Sequence, residues 1–135
     1  MTSYSNRNLI GQYWFRKVGG IPQQDALGTI NFDGAGRFEG LLILNTGGVV
    51  VRMAHQGGYD LQPDGTGTFT WDRILPGGGT EQMHSQVVVM RADAATEVVT
   101  EIYSSIDAPD PSTGELNGRL IVRQPTSPQR PSEPD

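Results

Sequence analysis

Short segments in which apolar and polar residues alternate fill most of the chain. A period of two places successive side chains on opposite faces of a β-strand. Turn-forming residues separate eight such segments, which span 9–18, 26–32, 37–45, 48–62, 66–75, 82–92, 96–106 and 116–123. The pair Gly57-Gly58 inside the fourth segment predicts a bulge or a sharp bend. The pattern therefore predicts an all-β protein with eight strands, or nine if this pair divides the fourth.

The connections between these segments are short. Asp33-Gly34-Ala35-Gly36 and Pro63-Asp64-Gly65 are hairpin turns in which glycine supplies the positive φ. Short connections join antiparallel neighbours, because a parallel pair needs a crossover of a dozen residues or more. An open meander of eight strands would expose two long edges, so closure is favoured. We expect a single antiparallel up-and-down β-barrel.

A chain of 135 residues is sufficient for one domain. We divide it into an N-terminal arm at 1–8, a barrel at 9–124 and a tail at 125–135. Proline recurs at every third position of the tail, which indicates either a disordered proline-rich segment or a polyproline ligand for an aromatic groove.

Composition narrows the functional classes. The 18 glycines and 9 prolines are unfavourable for long helices, and the absence of cysteine excludes disulfides and thiolate metal sites. A net charge of −5 argues against nucleic acid as a partner. The polar start of the chain has no apolar leader, so we expect a cytoplasmic protein without membrane insertion. No dinucleotide, P-loop or metal-ligand motif occurs, and we expect no cofactor and no metal.

The sixth and seventh segments hold the most chemistry. If 93–96 is their loop, Ala92 pairs with Glu97 and each strand has two distinct faces. The mixed face carries His84, Gln86, Glu101 and Tyr103 beside Val88, Val99 and Met90. The apolar face carries Met83, Val87, Val89, Val98, Ile102 and Ile106. A short helix beginning after Asp93 is the alternative for this loop.

Two orientations of this hairpin remain open. In the first, the apolar face packs in the core and the mixed face meets solvent. In the second, the mixed face lines a lumen wide enough for a small ligand, and the apolar face lies in a subunit interface of a homodimer.

The first segment resembles a known family signature. Leu9-Ile10-Gly11-Gln12-Tyr13-Trp14 is similar to the Gly-x-Trp motif of lipocalin-like (calycin) barrels, with Tyr13 in the tryptophan position. The resemblance implies that Arg123 or Arg119, near the end of the last strand, packs across this aromatic ring. The predicted architecture is also similar to allene oxide cyclase-like and Diels–Alderase barrels, which implies cofactor-free chemistry of secondary metabolism.

The leading hypothesis is a cofactor-independent cyclase or isomerase that folds an apolar polyketide- or lipid-derived substrate in its lumen. Glu101 would act as general base or anionic stabiliser, with Tyr103 and His84 as hydrogen-bond donors. Substrate-binding positions would be Tyr13, Phe38, Arg52, Phe69, Trp71, Arg73, Val88 and Met90, the arginines binding a carboxylate or oxyanion.

Two other hypotheses remain. A carrier or sensor would hold a small apolar organic ligand in the same lumen without changing it. An interaction protein with a solid core would instead work through its proline-rich tail or an apolar outer face.

Overall fold

Eight antiparallel strands close into a barrel in the computed structural model, which describes residues 3–20, 23–110, 114 and 116–125. The strands are β1 (Ile10–Gly19), β2 (Gln24–Asp33), β3 (Arg37–Thr46), β4 (Val49–Leu61), β5 (Thr66–Ile74), β6 (Thr80–Ala92), β7 (Val99–Ile106) and β8 (Asn117–Arg123). Each strand pairs with its sequence neighbour, and β8 pairs with β1. The predicted up-and-down barrel is confirmed. The tail from residue 126 onward lies outside the described residues.

Alternation decides which side chains fill the lumen. On β4, Met53, His55 and Tyr59 are buried, whereas Ala54 and Gln56 between them are exposed. The other strands follow the same rule, so one continuous core runs along the barrel axis. The Gly57-Gly58 pair does not divide β4, which is one continuous strand.

Glycines make room for three of the rings in the lumen. A Cβ atom at Gly40 would lie 1.9 Å from the carbonyl oxygen of Thr29 and 2.6 Å from Nε2 of His55. Only a residue without a side chain fits such a position. Three cross-strand pairs repeat this arrangement of ring and glycine: Phe15 with Gly28, His55 with Gly40, and Trp71 with Gly57. The glycines thereby position these three rings in the middle of the barrel.

One end of the barrel is aromatic. The Phe32 ring lies 5.0 Å from that of Tyr13, 5.2 Å from Tyr59, 5.4 Å from Phe38 and 5.5 Å from Phe69, measured between centroids. Edge-on and tilted contacts of this kind add stability beyond the burial of area. We call these five residues the aromatic end.

The N-terminal segment closes the aromatic end. A single 3₁₀ turn at Asn6–Asn8 places the Asn6 side chain against β4, where its Oδ1 accepts a hydrogen bond from the Leu61 amide at 2.8 Å. The Tyr59 hydroxyl donates to the Leu9 carbonyl at 2.7 Å, and Asn8 Nδ2 donates to the Glu97 carbonyl at 3.0 Å. The segment predicted as an arm is thus bonded to the barrel.

The β6–β7 hairpin turns as predicted but pairs differently. Residues 93–98 form a turn in which Asp93 Oδ1 accepts the amides of Ala95 and Thr96, and not the alternative helix. Ala92 pairs with Val99, so the predicted pairing with Glu97 is wrong by two residues. Glu97 leaves the strand because it adopts φ 62°. Within the described residues, no helix is long and apolar enough to cross a membrane.

Candidate functional site in the lumen

The mixed face of the β6–β7 hairpin points outward. His84 is exposed and Tyr103 half-buried on the outer surface, whereas Met83, Val87 and Ile102 are buried inside. A change of register by two residues leaves each side chain on the face that the sequence predicts. Val99 is the exception: the pairing near Arg91 is irregular, and Val99 is buried. Burial of the more apolar face stabilises this orientation. The interpretation in which the mixed face lines the lumen is therefore wrong.

The three residues predicted to be catalytic do not converge. Glu101 lies on the outer surface and forms an ion pair with Arg91, in which Oε1 of Glu101 lies 3.0 Å from Nε of Arg91. Tyr103 pairs across the sheet with Val88, which is four residues along β6 from His84, or about 13 Å. The Nδ1 atom of His84 contacts the Asp107 carboxylate, whose pKa this hydrogen bond lowers. Glu101 and His84 thus pair with other residues of the outer surface.

The predicted lining residues divide between the two faces. Arg52, Val88 and Met90 lie on the outer face, because the alternation of β4 and β6 puts their neighbours inside. The prediction that they line the lumen is wrong for these three. The lumen contains the other five: Tyr13, Phe38, Phe69, Trp71 and Arg73.

The lumen is packed, with one small cavity in its middle. The cavity has a volume of about 10 Å³, whereas sites for small organic ligands typically span several hundred Å³. Its walls are Ile30, Phe38, His55, Phe69, Trp71, Ser104, Arg119 and Ile121. The wide hollow expected from the sequence is not present in this conformation, so a ligand requires side chains to move.

Arg119 is the most unusual group of the cavity. Its residue is only 6% exposed, and its guanidinium lies 4.6 Å from the ring centroid of Phe15 and 5.3 Å from that of Trp71. Cation–π contact with two rings stabilises the charge in part. Among the described residues, no carboxylate lies within ion-pair distance of Arg119, and its Nε has no hydrogen-bond partner. Burial lowers its pKa to about 10, which keeps it charged at neutral pH.

His55 is a neutral base in the same cavity. Its Nε2 lies 2.9 Å from the Thr29 carbonyl oxygen, which only accepts, so the ring proton is on Nε2. The Nδ1 atom is therefore an acceptor, and it has no partner among the described residues. Burial lowers the pKa of His55 to about 4. Trp71, which also lines the cavity, has an indole N–H without a partner among the residues described.

Beyond the cavity lies the polar end of the barrel, which contains Lys17, Arg73, Glu81, Asp110 and Arg119. The Arg73 guanidinium contacts Asp110 at 3.0 and 3.2 Å and Glu81 at 2.6 Å. Lys17 donates to the carbonyl and side-chain oxygens of Gln24, both at 3.1 Å. The described residues of this end thus include three basic side chains and two carboxylates, although the whole chain carries a net charge of −5.

An apolar groove lies on the outer surface of β1–β3. It has a volume of about 370 Å³ and is lined mainly by Trp14, Leu27, Leu41 and Ile43. One interpretation of the sequence placed the apolar face of the β6–β7 hairpin in a subunit interface. This face lies in the core of the barrel, so the prediction of that interface is wrong. A homodimer through some other surface stays a prediction.

Comparison with known proteins found no matching family model, no matching curated protein and no matching solved structure. Within the described part of the chain, no group of three or more metal-ligating side chains is arranged to hold a metal ion. The assignment of function therefore rests on the lumen. Sequence reasoning did not select His55, Ser104 or Arg119 for the site, although the alternation around Met53, His55 and Tyr59 was a usable signal for His55.

Proposed function

We propose that the barrel binds a small organic ligand in the lumen, in the region between the aromatic and polar ends. The observation that supports this most is the cavity itself, where Trp71 Nε1 and His55 Nδ1 both lack partners among the described residues. An unsatisfied buried polar group costs about 1–3 kcal/mol, so two in one cavity require an explanation. A ligand with polar atoms satisfies both and gains contact with the surrounding rings.

The polar end is the part of the barrel that can make room. Met53 lies two residues from His55 on β4, and Met83 pairs with Trp71 across the sheet. Methionine side chains are unbranched and adapt their shape to a ligand. Asp110, which covers Arg73, belongs to the connection after β7 and not to a strand. Rearrangement here leaves the ladders of the barrel intact.

The calycin-like signature of β1 supports a ligand-binding barrel. Arg123 donates from Nε to the Ile10 carbonyl at 3.0 Å and lies directly over Gly11. It also pairs across the sheet with Tyr13, the aromatic residue of the signature. These contacts make Arg123, rather than Arg119, the candidate for the position that the resemblance implies.

A cofactor-independent isomerase or cyclase is the second candidate, because the neutral His55 and the charged Arg119 line one cavity. His55 Nδ1 would take a proton from the carbon next to a carbonyl, and the electron pair would move to the carbonyl oxygen beside Arg119. Return of the proton to another carbon would complete an isomerisation without any redox change. Conversion of a β,γ-unsaturated ketone to its conjugated isomer, followed by ultraviolet absorbance, tests this candidate. Loss of turnover with retained binding in His55→Gln would support it.

Binding itself is tested by Trp71 fluorescence in a Trp14→Phe background. The probes are naphthalene-2-carboxylate, its carboxamide and neutral ten-carbon alcohols, each also tested for a shift in Tm. We expect at least one probe to raise Tm and to change the Trp71 emission saturably. The control is Trp71→Phe in the same background, which contains no tryptophan. Any change in emission that remains in this variant comes from the probe in solution. The proposal is overturned if no probe changes either quantity at millimolar concentration.

A further inference from the structure

The inference concerns the head group of the ligand and rests on the proposed function. The basic side chains of the polar end differ in their partners. Arg73 is held by two carboxylates, and Lys17 by two oxygens of Gln24. Arg119 alone among these three has two aromatic rings and no anion within ion-pair distance, counting only the described residues. We infer that Arg119 recognises an anionic head group, and that the ligand is an organic carboxylate with a flat apolar body.

The two rings leave Nε of the Arg119 guanidinium without a hydrogen-bond partner among the described residues. Phe15 and Trp71 both contact Arg119 through their faces, as the short distances to the ring centroids show. A planar guanidinium stacked on rings presents its N–H groups at its edge, where a carboxylate accepts two parallel hydrogen bonds. The same cavity holds Trp71 Nε1, a further donor without a partner among the described residues. Arg119 and Trp71 thus offer donors to the head group, as an anion requires, whereas the acceptor His55 Nδ1 needs a donor elsewhere on the ligand.

The remaining walls define the body of the ligand. On the side away from the polar end, the cavity meets Ile30, Phe38, Phe69 and Ile121. These aromatic and branched side chains offer flat apolar surfaces and no charge. A carboxylate at Arg119 therefore places its apolar part toward the aromatic end.

Charge balance favours an anion over a neutral head group. Among the described residues of the polar end, the basic side chains outnumber the carboxylates by one, and Arg119 has neither an ion pair nor the oxygen contacts that Lys17 makes with Gln24. The Coulomb effects of Arg73 and Asp110 on Arg119 are opposite in sign, and that of Arg73 is the larger. One carboxylate from a ligand would make the charges of the described residues in this end equal in number.

The test compares two probes of the same shape. Naphthalene-2-carboxylate and naphthalene-2-carboxamide differ in charge at the head group, and calorimetric titration of the full chain at pH 7 gives the Kd of each. We expect the carboxylate to bind about tenfold more tightly or better, since hydrogen bonds to charged groups are the stronger ones. In Arg119→Met this preference should disappear while the carboxamide still binds. Arg119→Lys, which keeps the charge and loses the planar fork, should retain part of it.

The outcomes separate the inference from the proposed function. Equal affinity of the two probes for the natural chain overturns the inference and leaves ligand binding in place. Failure of both probes, together with the panel above, overturns both. Retention of the full preference in Arg119→Met, with the fold verified by circular dichroism, also overturns the inference, because Lys17 or Arg73 would then hold the anion. A preference that weakens with added salt in the natural chain supports it independently of any variant.

Discussion

The two ends of the barrel are built from different interactions. In the aromatic end, rings surround Phe32, and the hydroxyls of Tyr13 and Tyr59 donate to backbone carbonyls. Four of the five buried side-chain atoms without a partner among the described residues lie in the middle or the polar end: His55 Nδ1, Trp71 Nε1, Arg73 Nε and Arg119 Nε. The fifth, Ser85 Oγ, belongs to a residue that pairs across the sheet with Phe69 of the aromatic end. Satisfied groups give a stable, unique packing, and unsatisfied ones await a partner. The contrast supports the proposal that one end holds the fold and the other binds a ligand.

Truncation of the central ring should have the largest effect on stability. Phe32→Ala removes a side chain that is 1% exposed and contacts four other rings, so we expect a loss of about 3–5 kcal/mol in the free energy of unfolding. Urea denaturation at pH 7 measures it. The control is Leu27→Ala, which is 48% exposed and should change stability far less. A loss below about 1 kcal/mol for Phe32→Ala would contradict the assignment of this end as the stable core.

The second test uses pH and addresses His55. Its pKa falls from 6.5 in the unfolded chain to about 4 in the folded one, so the unfolded chain binds the proton first as pH decreases. Stability is unaffected above pH 6.5 and declines toward pH 4, by about 3 kcal/mol in total.

Denaturation curves at pH 7, 6 and 5 separate this effect from others. Hydrogen bonds lower the pKa of four carboxyl groups, those of Asp33, Asp64, Asp93 and Asp107. Protonation of these groups changes stability mainly at more acidic pH. His55→Gln keeps a donor for Thr29 and should flatten the curve between pH 7 and 5. The same slope in both proteins would show that His55 is accessible to protons in the folded state.

The barrel itself follows from the sequence because its signals are local. Turn residues such as Asp33 and Asp64 bond to the amides of their own turns, and short turns leave only antiparallel neighbours. Alternation then fixes inward positions wherever one face is clearly apolar, as for Tyr13 and Phe15 on β1. These features require no knowledge of distant contacts.

The site could not be predicted in the same way, because on β8 the face with the buried cation is the less apolar one in the sequence. On β8, Leu120 and Val122 look like the core face, yet both are exposed while Arg119 and Ile121 point inward. Only the rings of Phe15 on β1 and Trp71 on β5 explain why Arg119 is inside. Such a partnership spans three strands and appears only when the barrel closes. The hairpin error had a similar origin, since the backbone of Glu97 decides the register.

Replacement of Arg119 should raise stability slightly, in contrast to Phe32. The fall of its pKa from 12.5 to about 10 corresponds to a penalty of about 3 kcal/mol for burying the charge. Two cation–π contacts offset about 1–2 kcal/mol of it. Arg119→Met, which keeps an apolar chain of similar length, should therefore gain about 1 kcal/mol in urea denaturation. A loss of 2 kcal/mol or more would show that Arg119 is a structural group and would remove the reason for expecting a ligand anion.

The smallest effect is expected where the molecule meets solvent. Trp14 is 52% exposed and Trp71 only 3%, so the two tryptophans report on the outer groove and the lumen separately. Trp14→Phe should change the free energy of unfolding by less than about 0.5 kcal/mol, because it removes no buried contact. The remaining emission from Trp71 should lie at shorter wavelength and be quenched little by added iodide. If Trp71 proves as accessible to iodide as Trp14, the lumen opens to solvent without a ligand, and the polar end is already mobile in the free protein.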